Sequence, residues 1–159
     1  MSLIFKPFDE TSAYTIISWR YEPPYDIYNL MDPPDEEDIE YLLDPQNAFH
    51  RIVNESGNLL AFCSFGPDGQ VPGGDYNANA LDIGLGLRPN LTGQGHGLMF
   101  VNAVLDFARR TFAPTKFRVT VAEFNQRALR VWVKAGFRRV QIFQKDGGGQ
   151  NFVVLIRGA

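Results

Sequence analysis

Three glycines, Gly93, Gly95 and Gly97, stand two residues apart at the end of Arg88-Pro89-Asn90-Leu91-Thr92-Gly93-Gln94-Gly95-His96-Gly97. An apolar extended run, Ala80 to Leu87, precedes this loop. Apolar residues at helical spacing, Leu98, Val101, Val104, Leu105 and Ala108, follow it. A strand, a loop, a glycine cluster and a helix in that order suit an anion. Glycine lets backbone N–H groups approach a ligand with no Cβ in the way, and the start of the helix adds positive potential. A diphosphate is the natural guest; a flexible loop that merely caps the helix is the plainer alternative.

Which diphosphate is decided by spacing. A dinucleotide fold also sets glycines between strand and helix, and Glu123 after the next strand would mimic its ribose-binding acid. The spacing here is G-x-G-x-G rather than G-x-G-x-x-G, several residues part the strand from the first glycine, and no further βαβ units follow. A phosphate loop of the Walker type needs Lys and then Ser or Thr after its last glycine, and His96-Gly97-Leu98 supplies neither.

The elements that must hold this loop are legible in outline. Leu3 to Phe8 reads as a first strand, and Asp9-Glu10-Thr11-Ser12 as a helix start before Tyr14, Ile16, Ile17 and Trp19. Trp19 to Tyr28 is a loop rich in aromatic rings, because Pro23-Pro24 forbids a continuing helix. Prolines and acids from Asp32 to Asp38 crowd the front of a second helix, as a helix N-terminus prefers. Phe49 to Val53 and Leu59 to Phe65 form a hairpin, and Gly66 to Asn79 reads as a long surface connection. A helix follows from Gly97 to Arg110, a strand from Lys116 to Val121, and a helix from Asn125 to Ala135 with Asn125 as N-cap and Gly136 as its stop. Phe137 to Lys145 and Phe152 to Ile156 close the chain as a hairpin. The expected architecture is a single mixed α/β domain over residues 1–159.

The bulk properties exclude several classes. At 159 residues, with 45% hydrophobic and 21% charged residues, the chain has the composition of a folded domain rather than a disordered one. A net charge of −3 is not that of a typical nucleic-acid binder. One cysteine, Cys63, read as a core residue, allows no intrachain disulfide, and with only His50 and His96 no metal-ligand cluster is expected. The N-terminus is too short and too polar for a signal peptide, and no apolar run is of membrane-spanning length. A cytoplasmic protein that binds neither nucleic acid nor membrane is expected.

Arg88-Pro89 followed by Thr92-Gly93-Gln94-Gly95-His96-Gly97 resembles the acetyl-CoA loop of the GNAT family of N-acetyltransferases, whose pattern is (Q/R)-x-x-G-x-(G/A). Gly95 and Gly97 match its small positions; Thr92 departs from the usual Gln or Arg, which removes one side-chain contact and leaves the backbone cradle. Asn125-Gln126-Arg127-Ala128-Leu129-Arg130-Val131-Trp132-Val133-Lys134-Ala135-Gly136-Phe137 is similar to the family's N-x-x-A-x-x-x-Y-x-K-x-G-F segment, with Asn125, Ala128, Lys134, Gly136 and Phe137 in place. The two motifs span Leu81 to Phe137, and the remaining elements follow the family's order. The resemblance implies one GNAT domain, α/β of the α+β type, with a mixed, mostly antiparallel sheet of about seven strands flanked by about four helices.

It also implies a direct transfer of acetyl from acetyl-CoA to an amine, with no covalent enzyme intermediate and no metal. Backbone amides of Gly93, Gln94, Gly95, His96 and Gly97, with Thr92, would hold the diphosphate. Leu85 and Leu87 would lie along the pantetheine arm, Asn125 and Trp132 beside it. An alkylammonium of pKa ~10.4 must lose a proton before it attacks, so a general base is expected, and Asp82 and Glu123 are the two candidates. Backbone N–H groups around Leu85 to Leu87 would donate to the oxyanion, with Gly84 and Gly86 easing close approach of the ligand. Trp132 stands where relatives commonly carry a Tyr as general acid. Indole cannot deliver a proton at useful pH, though a thiolate leaves tolerably without one. The acceptor pocket would be formed by Trp19, Tyr21, Tyr25 and Tyr28, with Glu22 and Asp26 between them; rings and acids suit an amine with an apolar body. The acceptor would be a small-molecule or peptide amine, and homodimers are common in the family. Because of Trp132, an acyl-CoA-binding regulatory module with weak or no transferase activity stands as the alternative.

Overall fold

The structure, a computed structural model, describes residues 2–159. Among the described residues, seven strands and four α-helices follow one another: β1 (Ile4–Pro7), α1 (Glu10–Ile17), α2 (Glu36–Leu43), β2 (His50–Val53), β3 (Leu59–Phe65), β4 (Leu81–Leu87), α3 (Gly97–Phe112), β5 (Lys116–Ala122), α4 (Gln126–Lys134), β6 (Arg138–Gln144) and β7 (Asn151–Gly158). The strand order is β1-β2-β3-β4-β5-β7-β6. Pairing is antiparallel for β1 with β2, β2 with β3, β5 with β7 and β6 with β7, and parallel for β4 with β5. This is the mixed, mostly antiparallel α/β sheet that the sequence leads one to expect.

The chain divides into two compact units. The first comprises Met1–Ser64 and Leu85–Thr92, the second Phe65–Gly84 and Gly93–Ala159. In the first, α1 starts where its sequence says it must: Asp9 caps it by accepting from the Ser12 amide at 2.8 Å, and the Ser12 hydroxyl receives the Asp9 amide in return. Asp35 and Asp38 build the same reciprocal cap on α2, so Pro33 and Pro34 lie ahead of the helix rather than in it. Ala13, Ile17, Leu42 and Phe49 are buried together, with Phe8, Ile39 and Phe62 packed against them. Gly86 has a specific reason to lack a side chain: a Cβ there would stand 2.4 Å from the Phe62 ring. The close approach expected of a ligand at Gly86 is made by this ring instead.

In the second unit, α3 buries Phe100, Val101, Val104, Leu105 and Ala108, while Leu98, expected on the same stripe, is exposed. The apolar stripe therefore runs through Phe100. Val153, Val154 and Leu155 of β7 are successive and all buried, so both faces of that strand are covered, while β5 and β6 pair along its two edges. The outermost strand, β6, leaves Val140 and Ile142 exposed at 43% and 57%, among exposed Arg138, Arg139 and Lys145.

The segment expected to be a surface connection, Gly66 to Asn79, is tied down in several places. It contains a 3-10 turn at Pro67–Gly69, a Cβ on Gly69 would lie 3.1 Å from that of Asp82, and the Tyr76 hydroxyl accepts from the Val71 amide and pairs with Thr120 Oγ1, each at 2.9 Å. Gly and Pro mark where a chain turns; they do not say whether the turn is free of the body beneath it.

Candidate active site

The glycine loop is shaped by three different requirements. Gly93 and Gly95 have φ of +69° and +83°, the left-handed region where an L side chain costs roughly 1–2 kcal/mol. Gly97 is constrained by neighbours: a Cβ there would come within 3.0 Å of Val131 Cγ2 on α4. Gly97 opens α3, a 16-residue helix whose N-cap, His96, makes no side-chain capping bond. Among the described residues, no backbone carbonyl accepts from the amides of Gly93 or Gly95. Uncapped first-turn amides, two glycine amides and the positive end of a long helix are what an oxyanion needs. Gln94 and Gly95 are exposed and His96 is half-buried.

α4 supports the loop from beneath. Asn125 Oδ1 accepts from the Ala128 amide at 3.1 Å, so this residue is the helix's N-cap. Four residues apart on one face, Val131 lies against Gly97, and Arg127 sends its guanidinium to 2.9 Å from where a Gly93 Cβ would be. Arg127 is a residue the sequence reading passed over; its signal was its place one helical turn before Val131. Trp132 is only 6% exposed and meets Phe137 edge-on at 5.1 Å. Its ring is part of the packing under α4.

Asp82, expected as a general base, is 4% exposed and fully engaged. Its Oδ1 accepts from Arg118 Nε at 2.7 Å; its Oδ2 accepts from Arg118 Nη2 at 2.8 Å and from Gln70 Nε2 at 2.9 Å. Arg118 also donates to the Ala78 carbonyl at 2.8 Å and lies 5.0 Å from the centre of the Tyr76 ring. The hydrogen bonding that Arg118 donates to Asp82 is the main reason that it holds its proton more tightly than a free guanidinium. A carboxylate with every oxygen committed in this way is a fastener between strand and connection. Parallel pairing of β4 with β5 consists of Leu81 opposite Phe117 and Asp82 opposite Arg118.

Glu123 has the opposite setting. It follows the end of β5, its amide bonds the Asn151 carbonyl at 2.9 Å, and its Oε1 accepts only a long 3.4 Å contact from Asn151 Nδ2. It lines a polar cavity of about 670 Å³ with Gln126, Arg139, Gln144, Gln150 and Asn151 among its other walls. A proton acceptor facing a polar cavity is placed to exchange with a ligand or with water.

The aromatic candidates lie in the first unit. Tyr21 donates its hydroxyl to the Leu87 carbonyl at 2.7 Å, and burial pushes its pKa up to about 12. Trp19 is half-buried, 6.1 Å from the Phe62 ring. Tyr25 and Tyr28 both fall on a short 3-10 turn, Tyr25–Tyr28, that replaces part of the expected loop. The Thr92 hydroxyl turns back to the Pro89 carbonyl at 2.7 Å, while Leu85 and Leu87 are half-buried on β4.

Residues 13–137 match the model of the Acetyltransferase (GNAT) family, and the chain belongs to that family. It is an acetyl-CoA-dependent acyltransferase. Solved structures agree on the fold. A chimera of spermidine N-acetyltransferase SpeG from Vibrio cholerae and hSSAT superposes with a TM-score of 0.75 at 16% identity, covering 98% of this chain and 95% of that one. AAC(6')-Ib in complex with Parmomycin and AcetylCoA gives 0.76 at 18% identity, covering 99% and 94%. A putative phosphinothricin N-acetyltransferase gives 0.71 at 19%, covering 99% and 98%. No curated protein matches the chain in sequence. Among the described residues, no helix is long and apolar enough to cross a membrane, and no group of three or more His, Cys, Asp or Glu could hold a metal ion.

Proposed function

We propose that this protein transfers an acetyl group from acetyl-CoA directly to a primary amine, of a small molecule or of a peptide N-terminus, in the cytoplasm and within one domain spanning residues 1–159. The observation that carries this reading is the opening of α3: left-handed Gly93 and Gly95, the side-chain-free Gly97 and an uncapped helix start fit a diphosphate without rearrangement. Charge supports it. The second unit has eleven Lys and Arg against six acids, net +5, in keeping with an anionic donor; the first has four against twelve, net −8, in keeping with a protonated amine. The solved structures of similar fold described as spermidine and phosphinothricin N-acetyltransferases point to the same acceptor class.

Acetyl-CoA supplies an acyl group already activated by a thiolate leaving group. The amides of residues 93–97 hold the diphosphate, Leu85 and Leu87 lie beside the pantetheine arm, and backbone N–H groups of β4 near them receive the developing oxyanion charge. Asn125, besides capping α4, offers its amide to the same arm. Glu123, on its polar cavity, takes the ammonium proton directly or through water. Asp82 acts at one remove, by holding β4 in register with β5. Trp19, Tyr21, Tyr25 and Tyr28, with Glu22 and Asp26, enclose the acceptor. Tyr21 is poorly placed to double as general acid, because its proton is already donated to Leu87 and burial makes the phenol give it up less readily.

The test is thermal melting with acetyl-CoA, CoA, NAD and ATP in parallel, followed by thiol release across a panel of amines. Stabilisation by acetyl-CoA and CoA but not by NAD, with thiol released on adding an amine, is the expected result. Absence of any shift at saturating CoA would sink the phosphate-cradle reading. One observation favours a second reading, an acyl-CoA-binding module: Trp132 is buried and carries no acid for the leaving thiolate. Binding without turnover across the whole panel would select it.

A further inference from the structure

The one cation of the loop that follows β4, Arg88, is turned to the loop's start and to β3, donating to Asn90 Oδ1 at 2.7 Å and to the Leu59 carbonyl at 3.2 Å. Position 92 is a threonine whose hydroxyl is spent on Pro89, and residues 93–97 carry no Lys or Arg. A diphosphate held only by amides would be under-neutralised. A positive charge beside Gly93 comes from another element. Arg127 is the second residue of α4, and its Nη1 lies 2.9 Å from the point where a Cβ on Gly93 would stand. A Cβ at residue 93 would stand closer to the guanidinium than carbon contacts allow, so the arginine keeps this place because residue 93 is glycine. The position is fixed from both sides: Asn125 caps α4, and Val131, one turn beyond Arg127, packs into the gap left by Gly97.

We infer that Arg127 is the residue that reads the diphosphate of the donor, binding its oxygens from α4 across Gly93 and supplying a charge that residues 92–97 do not. A guanidinium suits this task because its planar fork meets two phosphate oxygens at once and stays charged at every working pH. This inference rests on the proposed acetyl-CoA reading of the loop and adds to it a specificity residue outside the loop. Gly93 then has two duties, a left-handed turn and a clear path for the arginine.

Calorimetric titration of the whole protein and of Arg127→Gln with CoA, dephospho-CoA (which keeps the diphosphate and lacks the 3′-phosphate) and pantetheine (which lacks both) tests it. Arg127→Gln is expected to weaken CoA and dephospho-CoA alike, by roughly 10- to 100-fold, the scale of a lost hydrogen bond to a charged group, and to leave pantetheine unchanged. Arg127→Lys should recover part of the loss. Gly93→Ala should weaken both phosphorylated ligands in the parent and have a smaller effect in the Arg127→Gln background, since the guanidinium it would displace is already gone. Equal binding of CoA by parent and Arg127→Gln overturns the inference and leaves the loop reading intact. A loss confined to CoA, absent for dephospho-CoA, also overturns it by moving the contact to the 3′-phosphate. A parent that binds neither CoA nor dephospho-CoA brings down the loop reading and this inference together. Melting of the ligand-free variants reports whether they fold; should Arg127→Gln fail to, the Gly93→Ala and Arg127→Lys titrations decide.

Discussion

Arg118 grips Asp82 with two nearly parallel hydrogen bonds, Nε to Oδ1 at 2.7 Å and Nη2 to Oδ2 at 2.8 Å, where β4 and β5 stand in register. Both side chains are almost completely buried. Removing one partner leaves the other as an uncompensated buried charge, which costs about 3–5 kcal/mol, whereas replacing both with apolar groups of similar volume is far milder. Asp82→Ala is therefore expected to lose about 3–5 kcal/mol in urea denaturation, and Asp82→Leu with Arg118→Met clearly less. An Asp82→Asn protein as stable as its parent but without turnover would return Asp82 to the role of base.

Glu123 should behave differently. Glu123→Gln preserves the shape and most contacts at the end of β5, so stability should change by less than about 0.5 kcal/mol. Turnover should fall on the order of 10²-fold with KM for acetyl-CoA unchanged, and the deficit should shrink as pH is raised towards the acceptor's own pKa, ~10.4 for an alkylammonium, where free amine no longer needs a base. A full pH–rate profile of the variant checks it; a profile superposing on that of the parent assigns the base elsewhere.

Gly97 and Val131 form a lock between α3 and α4. The added methyl of Gly97→Ala meets Val131 Cγ2 at 3.0 Å and is expected to cost about 1–3 kcal/mol by overpacking. Val131→Ala in that background should recover much of the loss. Gly95→Ala meets nothing and suffers only its left-handed φ, about 1–2 kcal/mol, with no rescue by Val131→Ala. Chemical denaturation of the four variants separates the two causes.

Tyr21 offers a pH signature. Burial raises its pKa from 10.0 to about 12, so the folded state favours the neutral phenol. The stabilisation this brings is complete below pH 10 and is lost as pH rises from 10 towards 12. Ultraviolet titration should show absorbance still rising towards pH 12, and Tyr21→Phe should remove that late step. The same variant should lose about 1 kcal/mol through the orphaned Leu87 carbonyl. A late part of the curve left unchanged by Tyr21→Phe would show that Tyr21 is not held as described.

What the sequence disclosed was the local chemistry. Asp9, Asp35 and Asn125 were readable as helix starts because a cap is decided within four residues, and the glycines of residues 93–97 because strand, loop and helix are contiguous. Long-range pairings were hidden. Asp82 looked like a lone acid on a strand because Arg118 lies 36 positions away and meets it only through the β4–β5 register. Gly86 looked like room for a ligand, although the room belongs to Phe62, 24 positions earlier. Arg127 was concealed by helix geometry: only with α4 docked does its side of the helix face Gly93.

The outer strand β6 has a practical consequence. Its outer edge presents Val140 and Ile142 with no proline among them, and the register with β7 slips by one residue between Arg139 and Gln141, which sets Val140 at an irregularity. Beyond that local break, what stands guard is the charge of Arg138, Arg139 and Lys145. Protection of this kind is colloidal, set by the solvent rather than by the backbone. At physiological ionic strength the repulsion reaches about 8 Å, and at 1 M salt about 3 Å. The shelf life of concentrated protein is thus expected to shorten as salt is raised, well before its melting temperature changes.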